Sequence, residues 1–356
     1  WRQLPTEAFS INGYLDSFDF IDMDGDGTEE IIVSSRLFLA EGAKSFTLLF
    51  PEADETGGVI SRIRTQDKMD ASGQIKLGIN YTQLIFADLD GDGVDEACYT
   101  RLGMADAANN SVAGAFRYDA ESKTLEALGE IPLDPNVSQH EQPKYLPLAG
   151  GRGAILFDAF KGETGVITEL IYYDAQTRRL AAPFLDQETG VNMATFRAQR
   201  VLSRDFDGDG RVDVPSQYDM PGSSVYSVGS SAPTGFPLIQ WSRVQADFSL
   251  QPYTKHLLYL GPNQWVQLPE RLRDVVENPE GLGDELTVRG NPEDAQNTLH
   301  FYSWDQKTGH TVGKELFWLR IVGAGQRNAL AEYEIMGEGR QRRLRLDFLE
   351  TVRTSA

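Results

Sequence analysis

The chain has 356 residues with 53 acids against 33 bases, a formal net charge of −20 and a pI near 4.6. That balance excludes a nucleic-acid binder, whose phosphate contacts need a basic face, and a protein that coats anionic membrane with Lys and Arg. With 40% hydrophobic residues the chain can bury a large core, which excludes global disorder and leaves room for more than one domain.

In chain order, the first strand-length run is Phe18-Asp-Phe-Ile21. It leads into an acidic loop, Asp22-Met-Asp24-Gly-Asp26-Gly27-Thr28-Glu29-Glu30, and out through Ile31-Ile-Val33. Arg36-Leu-Phe-Leu39 to Phe46-Thr-Leu-Leu49 reads as a loose hairpin. Leu84-Ile-Phe-Ala87 precedes a second acidic loop, Asp88-Leu-Asp90-Gly-Asp92-Gly93-Val94-Asp95-Glu96. Ala97-Cys98-Tyr99 then reads as buried strand, with Cys98 as a packed thiol. It is the one cysteine of the chain, which excludes an intramolecular disulfide framework and a multi-cysteine zinc site. Ala115 to Leu125 reads as a strand, a polar turn led by Asp119 and a return strand.

Gly150-Gly-Arg-Gly153 lacks the spacing of a dinucleotide loop and reads as a turn. Ala154-Ile-Leu-Phe157 leads into Asp158-Ala-Phe-Lys-Gly162, and Leu170 to Leu180 repeats the Asp-led hairpin around Asp174. A third acidic loop follows, Asp205-Phe-Asp207-Gly-Asp209-Gly210-Arg211-Val212-Asp213. The copies start at residues 22, 88 and 205, so the second interval approaches twice the first. The expectation is a silent repeat at Gly153 to Leu180, with 158–162 as its vacant loop. The common unit is strand, acidic loop, strand and hairpin, about four strands, and four-stranded units at such spacing are the signature of a β-propeller.

Met220 to Ser242 is uncharged but carries Gly, Ser and Pro throughout, so it reads as a surface loop and not as a membrane span. Trp241, beside the Gly-Ser-Pro loop from Met220 to Pro237, is the favoured ligand-binding aromatic, because long loops on rigid scaffolds carry function. Pro237 to Leu250 forms a loose fourth hairpin. From about His256 the pattern changes. His256 to Leu260, Leu286 to Val288, Leu299 to Tyr302, Leu316 to Val322 and Leu344 to Phe348 read as strands, and Leu268 to Glu277 as a helix. The expected architecture is all-β: a propeller-like array of four-stranded repeats with calcium loops over 1–255, then a smaller, mostly-β (α+β) domain over 256–356.

In each acidic loop positions 1, 3 and 5 are Asp, position 6 is Gly and position 9 is Glu or Asp. Calcium takes six to eight oxygen ligands, and such a loop supplies them once glycine permits the turn that brings position 9 back. Position 7 offers only a backbone carbonyl, so its side chain is free to vary. An EF-hand would need Glu at position 12 between helices. Val33, Tyr99 and Ser216 stand there instead, between strand-like flanks.

These loops resemble the FG-GAP or VCBS repeats of integrin α-chain propellers and bacterial surface proteins, over roughly residues 15–255. The resemblance implies one structural calcium per loop, up to three ions, and use in adhesion or ligand binding. It assigns Asp22, Asp24, Asp26, Thr28 and Glu30 to site one; Asp88, Asp90, Asp92, Val94 and Glu96 to site two; and Asp205, Asp207, Asp209, Arg211 and Asp213 to site three. The stretch holds fewer units than the integrin ring. The whole chain, with its Phe301-Tyr-Ser-Trp-Asp305 strand and Lys307-Thr-Gly309 turn, is also similar to secreted lipoproteins of Gram-positive anaerobes.

The four histidines make no H-E-x-x-H pattern, and neither a G-x-S-x-G elbow nor a P-loop occurs. No catalytic residue emerges. The expected function is a calcium-binding module for an extracellular protein or glycan, secreted or anchored at the cell surface, on a chain that starts at Trp1 after loss of a leader. The alternative is a carbohydrate-active enzyme or its sugar-binding accessory domain.

Overall fold

A computed structural model describes residues 14–36, 44–53, 59–63, 81–103, 111–119, 121, 124–149, 151–163, 165–219, 237–254, 257–261, 264–267, 285–290, 298–304 and 312–320. Among the described residues every regular element is a strand, and the strands form five sheets. Sheet one runs β1 (Tyr14–Ile21), β2 (Glu30–Arg36), β3 (Lys44–Ala53), β4 (Val59–Ile63). Sheet two runs β5 (Gln83–Ala87), β6 (Glu96–Arg101), β7 (Val112–Asp119), β8 (Thr124–Pro132). In both, neighbours in sequence are antiparallel neighbours in space.

Sheet three has the same path through β10 (Lys144–Pro147), β11 (Gly153–Phe160), β12 (Val166–Asp174) and β13 (Arg179–Ala181). Two short strands extend it: β9 (Gln139–His140) on β11 and β14 (Thr195–Arg197) on β12. Sheet four contains β15 (Asp213–Asp219), β16 (Pro237–Val244), β17 (Leu250–Pro252), β18 (Leu257–Gly261) and β19 (Gln264–Gln267). Sheet five contains β20 (Glu285–Gly290), β21 (Thr298–Trp304) and β22 (Val312–Arg320). The chain divides into two compact units, Trp1–Val214 with Arg243–Gln251 and Pro215–Ser242 with Pro252–Ala356.

Within the first unit, side-chain alternation explains why central strands are buried on both faces. Successive residues of a strand point to opposite faces. On β6, Ala97 and Tyr99 pack with Met23 and Ile32 of the sheet-one side, while Cys98 points the other way, toward Ile155 and Phe157. On β11 the parity is used again: Ile155 and Phe157 face sheet two, whereas Ala154 and Leu156 pack with Val214, Val244 and Phe248. Sheets two and three are therefore each covered on both faces, and their middle strands read as nearly continuous apolar runs for that reason. Cys98 is the packed thiol expected, with no exposed surface.

The Asp-led hairpins hold as read. Asp119 pairs with Thr124 and accepts from the Glu121 amide at 3.0 Å, and Asp174 pairs with Arg179 and accepts from the Gln176 amide at 2.9 Å. The silent unit exists, but its vacant loop lies elsewhere. Pro147 pairs with Gly153 as Ile21 pairs with Glu30 and Ala87 with Glu96. The counterpart of the acidic loop is thus 148–152, where Leu148 bonds Arg152 at 2.7 Å and Gly151 takes φ 79°. This loop is three residues shorter than the acidic ones, and the residue that pairs as position 9 does is Gly153, which has no carboxylate to offer. Asp158 belongs instead to β11. The expected helix at 268–277, the strand at 344–348 and most of the loop at 220–242 lie outside the described residues.

Asp158 and Arg197 form a buried ion pair on sheet three, Nη2 to Oδ1 at 2.7 Å, both without exposed surface. Thr168 and Ser203 donate to the same carboxylate at 2.8 and 2.9 Å, and the Ser203 amide reaches its other oxygen at 2.6 Å. The guanidinium also donates to Val201 O, Thr168 Oγ1 and Thr195 Oγ1. Burying a charge is tolerated only with such complete pairing.

Candidate metal centres

The acidic loops join the first two strands of sheets one and two, and the third enters β15 after an isolated bridge between Arg204 and Asp213. All three flanks are β, so the EF-hand arrangement is absent from these loops. The loops close by the same hydrogen bonds. The position-1 carboxylate accepts from the position-6 amide: Asp22 from Gly27 at 2.9 Å, Asp88 from Gly93 at 3.0 Å, Asp205 from Gly210 at 2.9 Å. The position-9 carboxylate accepts from the position-2 amide: Glu30 from Met23 at 2.7 Å, Glu96 from Leu89 at 2.8 Å, Asp213 from Phe206 at 3.0 Å.

Glycine is required at position 4 as well as position 6, a point missed in the sequence although Gly25, Gly91 and Gly208 recur there. Gly91 adopts φ 83°, in the left-handed region that favours glycine, and a Cβ on it would lie 2.6 Å from Gly151 O. A Cβ on Gly25 would meet Val94 Cγ2 at 3.1 Å. Loops one and two are therefore neighbours, and loop two also abuts the vacant loop.

This closure gathers one carboxylate oxygen from each of positions 1, 3 and 9 within 4.8 Å of one another: Asp22, Asp24 and Glu30; Asp88, Asp90 and Glu96; Asp205, Asp207 and Asp213. Calcium–oxygen distances of about 2.3–2.6 Å suit oxygens so spaced around one ion. The position-5 residues stand outside these sets. Asp26, Asp92 and Asp209 accept from the position-7 amides of Thr28, Val94 and Arg211 at 2.6, 2.8 and 2.9 Å.

At site two Glu96 is fully buried, and its Oε1 has no hydrogen-bond partner while Oε2 takes the Leu89 amide. A buried carboxylate oxygen without a donor carries a full desolvation cost. A cation shared with Asp88 and Asp90 removes that cost, so the residues fit a hard divalent ion. Burial pushes the Glu96 carboxyl up to about 8, the Leu89 amide opposing and Asp90 and Asp92 adding to it. Burial pushes Glu30 up to about 7, the Met23 amide opposing and Asp24, Asp22 and Asp26 adding to it.

A carboxyl raised in the folded state stabilises that state below its ordinary value of 4.5, and the contribution is lost as pH rises through 7 to 8. In chelator, the melting temperature is accordingly expected to fall between pH 5 and 8. Saturating calcium, which replaces the proton, is expected to abolish that fall; a chelated melt flat across this range would contradict the burial of Glu30 and Glu96.

Two arginines that sequence spacing did not reveal touch the loops. Arg117 of β7 donates to Asp90 Oδ2 at 2.8 Å, and Arg243 of β16 donates to Asp207 Oδ2 at 2.6 Å. They lie 27 and 36 residues from their partners, so only strand pairing could have signalled them. Tyr145 ties site two to sheet three, donating to Asp88 O at 2.9 Å.

Trp241 is placed differently from its reading as an exposed ligand-binding aromatic. It has no exposed surface on β16, with its amide donating to Thr254 Oγ1 at 2.8 Å, which leaves no ring face for stacking.

No family model matches the chain, and no curated protein matches it. Among solved structures, it is similar to the crystal structure of the exotype rhamnogalacturonan lyase YesX, at 12% identity and TM-score 0.32, over 85% of this chain and 65% of that one. It is also similar to a glucose dehydrogenase structure, at 9% identity and TM-score 0.26, over 82% of this chain and 96% of that one. The chain thus spans 65% of the lyase's length. Likenesses this slight carry no argument about function. Among the described residues no helix is long and apolar enough to cross a membrane.

Proposed function

We propose that this chain is a calcium-stabilised, propeller-like array of FG-GAP or VCBS type, acting outside the cell as a binding or adhesion module for a protein or glycan. The observation that carries the calcium reading is the buried, donorless Oε1 of Glu96 beside Asp88 and Asp90. The donor set is all oxygen, which favours a hard cation over zinc or copper. Sheets one and two, each four-stranded, and sheet three, which repeats their four-strand path with two short strands added, pack face to face in chain order within the first unit, each with a loop or its vacant counterpart near its start, and this supports the propeller-like reading. Asp22, Asp24 and Glu30, Asp88, Asp90 and Glu96, and Asp205, Asp207 and Asp213 would hold the ions. The ion supplies the positive charge that lets these carboxylates sit together. Extracellular loops of this kind fill at roughly 10⁻⁴ to 10⁻³ M calcium, which suits an exported protein.

The test is a metal count on protein stripped with chelator and dialysed against calcium. Three ions per chain are expected, and Glu96→Gln is expected to lose one. A chain that takes up no calcium would sink the reading.

A further inference from the structure

Sites two and three share one loop geometry but not one charge environment, and any difference in their affinity rests on both being calcium sites. At site two the loop gathers Asp88, Asp90, Asp92, Asp95 and Glu96. Arg117 touches it through one oxygen of Asp90 and divides its guanidinium with Glu126, Nη2 to Oε2 at 3.3 Å. Behind them lies the unpartnered Oε1 of Glu96, an independent sign that a cation belongs there.

At site three the loop gathers Asp205, Asp207, Asp209 and Asp213, with Val212 where site two has Asp95 and with Arg211 at position 7. Arg243 reaches across two of these positions at once: its Nη2 lies 2.6 Å from Asp207 Oδ2 and 2.9 Å from Asp209 Oδ2. Asp205, Asp207 and Asp209 are exposed, whereas Asp88 and Asp90 are half-buried. Fewer carboxylates, a second arginine and more solvent all act in the same direction. A guanidinium in contact with the ligand carboxylate of Asp207 and with its neighbour Asp209 offsets charge that would otherwise attract the ion, and its charge-assisted hydrogen bonds must be re-aimed when the ion arrives.

We propose that Arg243 is the internal counter-cation of site three, competing with calcium for Asp207, offsetting the charge of Asp209, and making this site weaker and more exchangeable than site two. Sites two and three then respond to calcium in separate steps. Site two fills first and holds the junction with sheet three through Tyr145. Site three, whose ninth position is the first residue of β15, fills only at higher calcium.

The experiment is calorimetric titration of the metal-stripped full chain with calcium chloride, in the wild type and in Glu96→Gln, Arg243→Gln and Arg243→Lys. Glu96→Gln is expected to delete the step of site two. Arg243→Gln is expected to strengthen a different and weaker step by about tenfold without changing the number of ions bound. Arg243→Lys, which keeps the charge, is expected to leave that step within about threefold of wild type. The proposal is overturned if Arg243→Gln leaves every step unchanged or weakens one, or if the step that shifts is tighter than the one Glu96→Gln deletes. A wild-type chain that binds no calcium at all would overturn the calcium reading itself and not only the ranking of its sites.

Discussion

Adding about 5 mM calcium to the metal-stripped protein is expected to raise its melting temperature by roughly 10 °C, given extracellular-type affinities. An ion that binds only the folded chain stabilises it by RT ln(1 + [L]/Kd), so each site contributes about 1–2 kcal/mol at that concentration. Three sites together reach about 3–6 kcal/mol, and 1 kcal/mol moves the melt of a domain of this size by about 2–4 °C. The effect is large because the metal-free loops are strained electrostatically. Like charges 4 Å apart repel by about 4 kcal/mol at an effective dielectric of 20, and each loop holds three carboxylate oxygens within 4.8 Å. Magnesium, which demands near-ideal octahedral geometry at shorter distances, is expected to give a smaller rise. Differential scanning calorimetry with calcium, magnesium and chelator decides the matter, and an identical melt in all three would exclude structural ions.

Asp158→Ala is expected to cost about 3–5 kcal/mol, the loss typical when one partner of a buried ion pair is removed. Arg197 would remain fully buried with its charge uncompensated, and the Ser203 amide and hydroxyl would lose their acceptor. Arg197→Met should be milder, because Thr168 and Ser203 still donate to Asp158 and Lys144 Nζ stands 3.7 Å away. The double variant Asp158→Leu with Arg197→Met should recover part of the loss, since no charge is then left buried. Urea midpoints at saturating calcium separate these outcomes, and an Asp158→Ala midpoint equal to wild type would show the pair to be dispensable.

The loops are legible in the sequence because their chemistry is local. The hydrogen bonds that close them span seven residues or fewer, as from Asp22 to Gly27 and from Met23 to Glu30. A spacing of Asp, Gly and Glu is therefore nearly a description of the folded loop. The two Asp-led hairpins are legible for the same reason, since Asp119 and Asp174 bond amides two residues ahead. The vacant loop is displaced by one strand from its expected place because 158–162 resembles an acidic loop in composition, while 148–152, though three residues shorter, joins paired strands as the acidic loops do. Trp241 beside a long polar loop suggests exposure, yet β16 carries it inward. Composition near a residue says little about which face of a strand it occupies.

What the sequence determined alone was the β character of the described residues, the three oxygen-rich loops with their position-6 glycines, and the acidic balance of the chain. Local hydrogen bonding, strand alternation and net charge need no partner far along the chain. Only the tertiary structure decided which carboxylates meet, that position 5 serves the backbone, that Glu96 is buried without a donor for one oxygen, and that Arg117 and Arg243 reach the loops. It also decided how Asp158 and Arg197, 39 residues apart, become a buried pair. These depend on strand register and on the stacking of one sheet against the next, which set the electric field around each loop and leave no mark in the spacing of its residues.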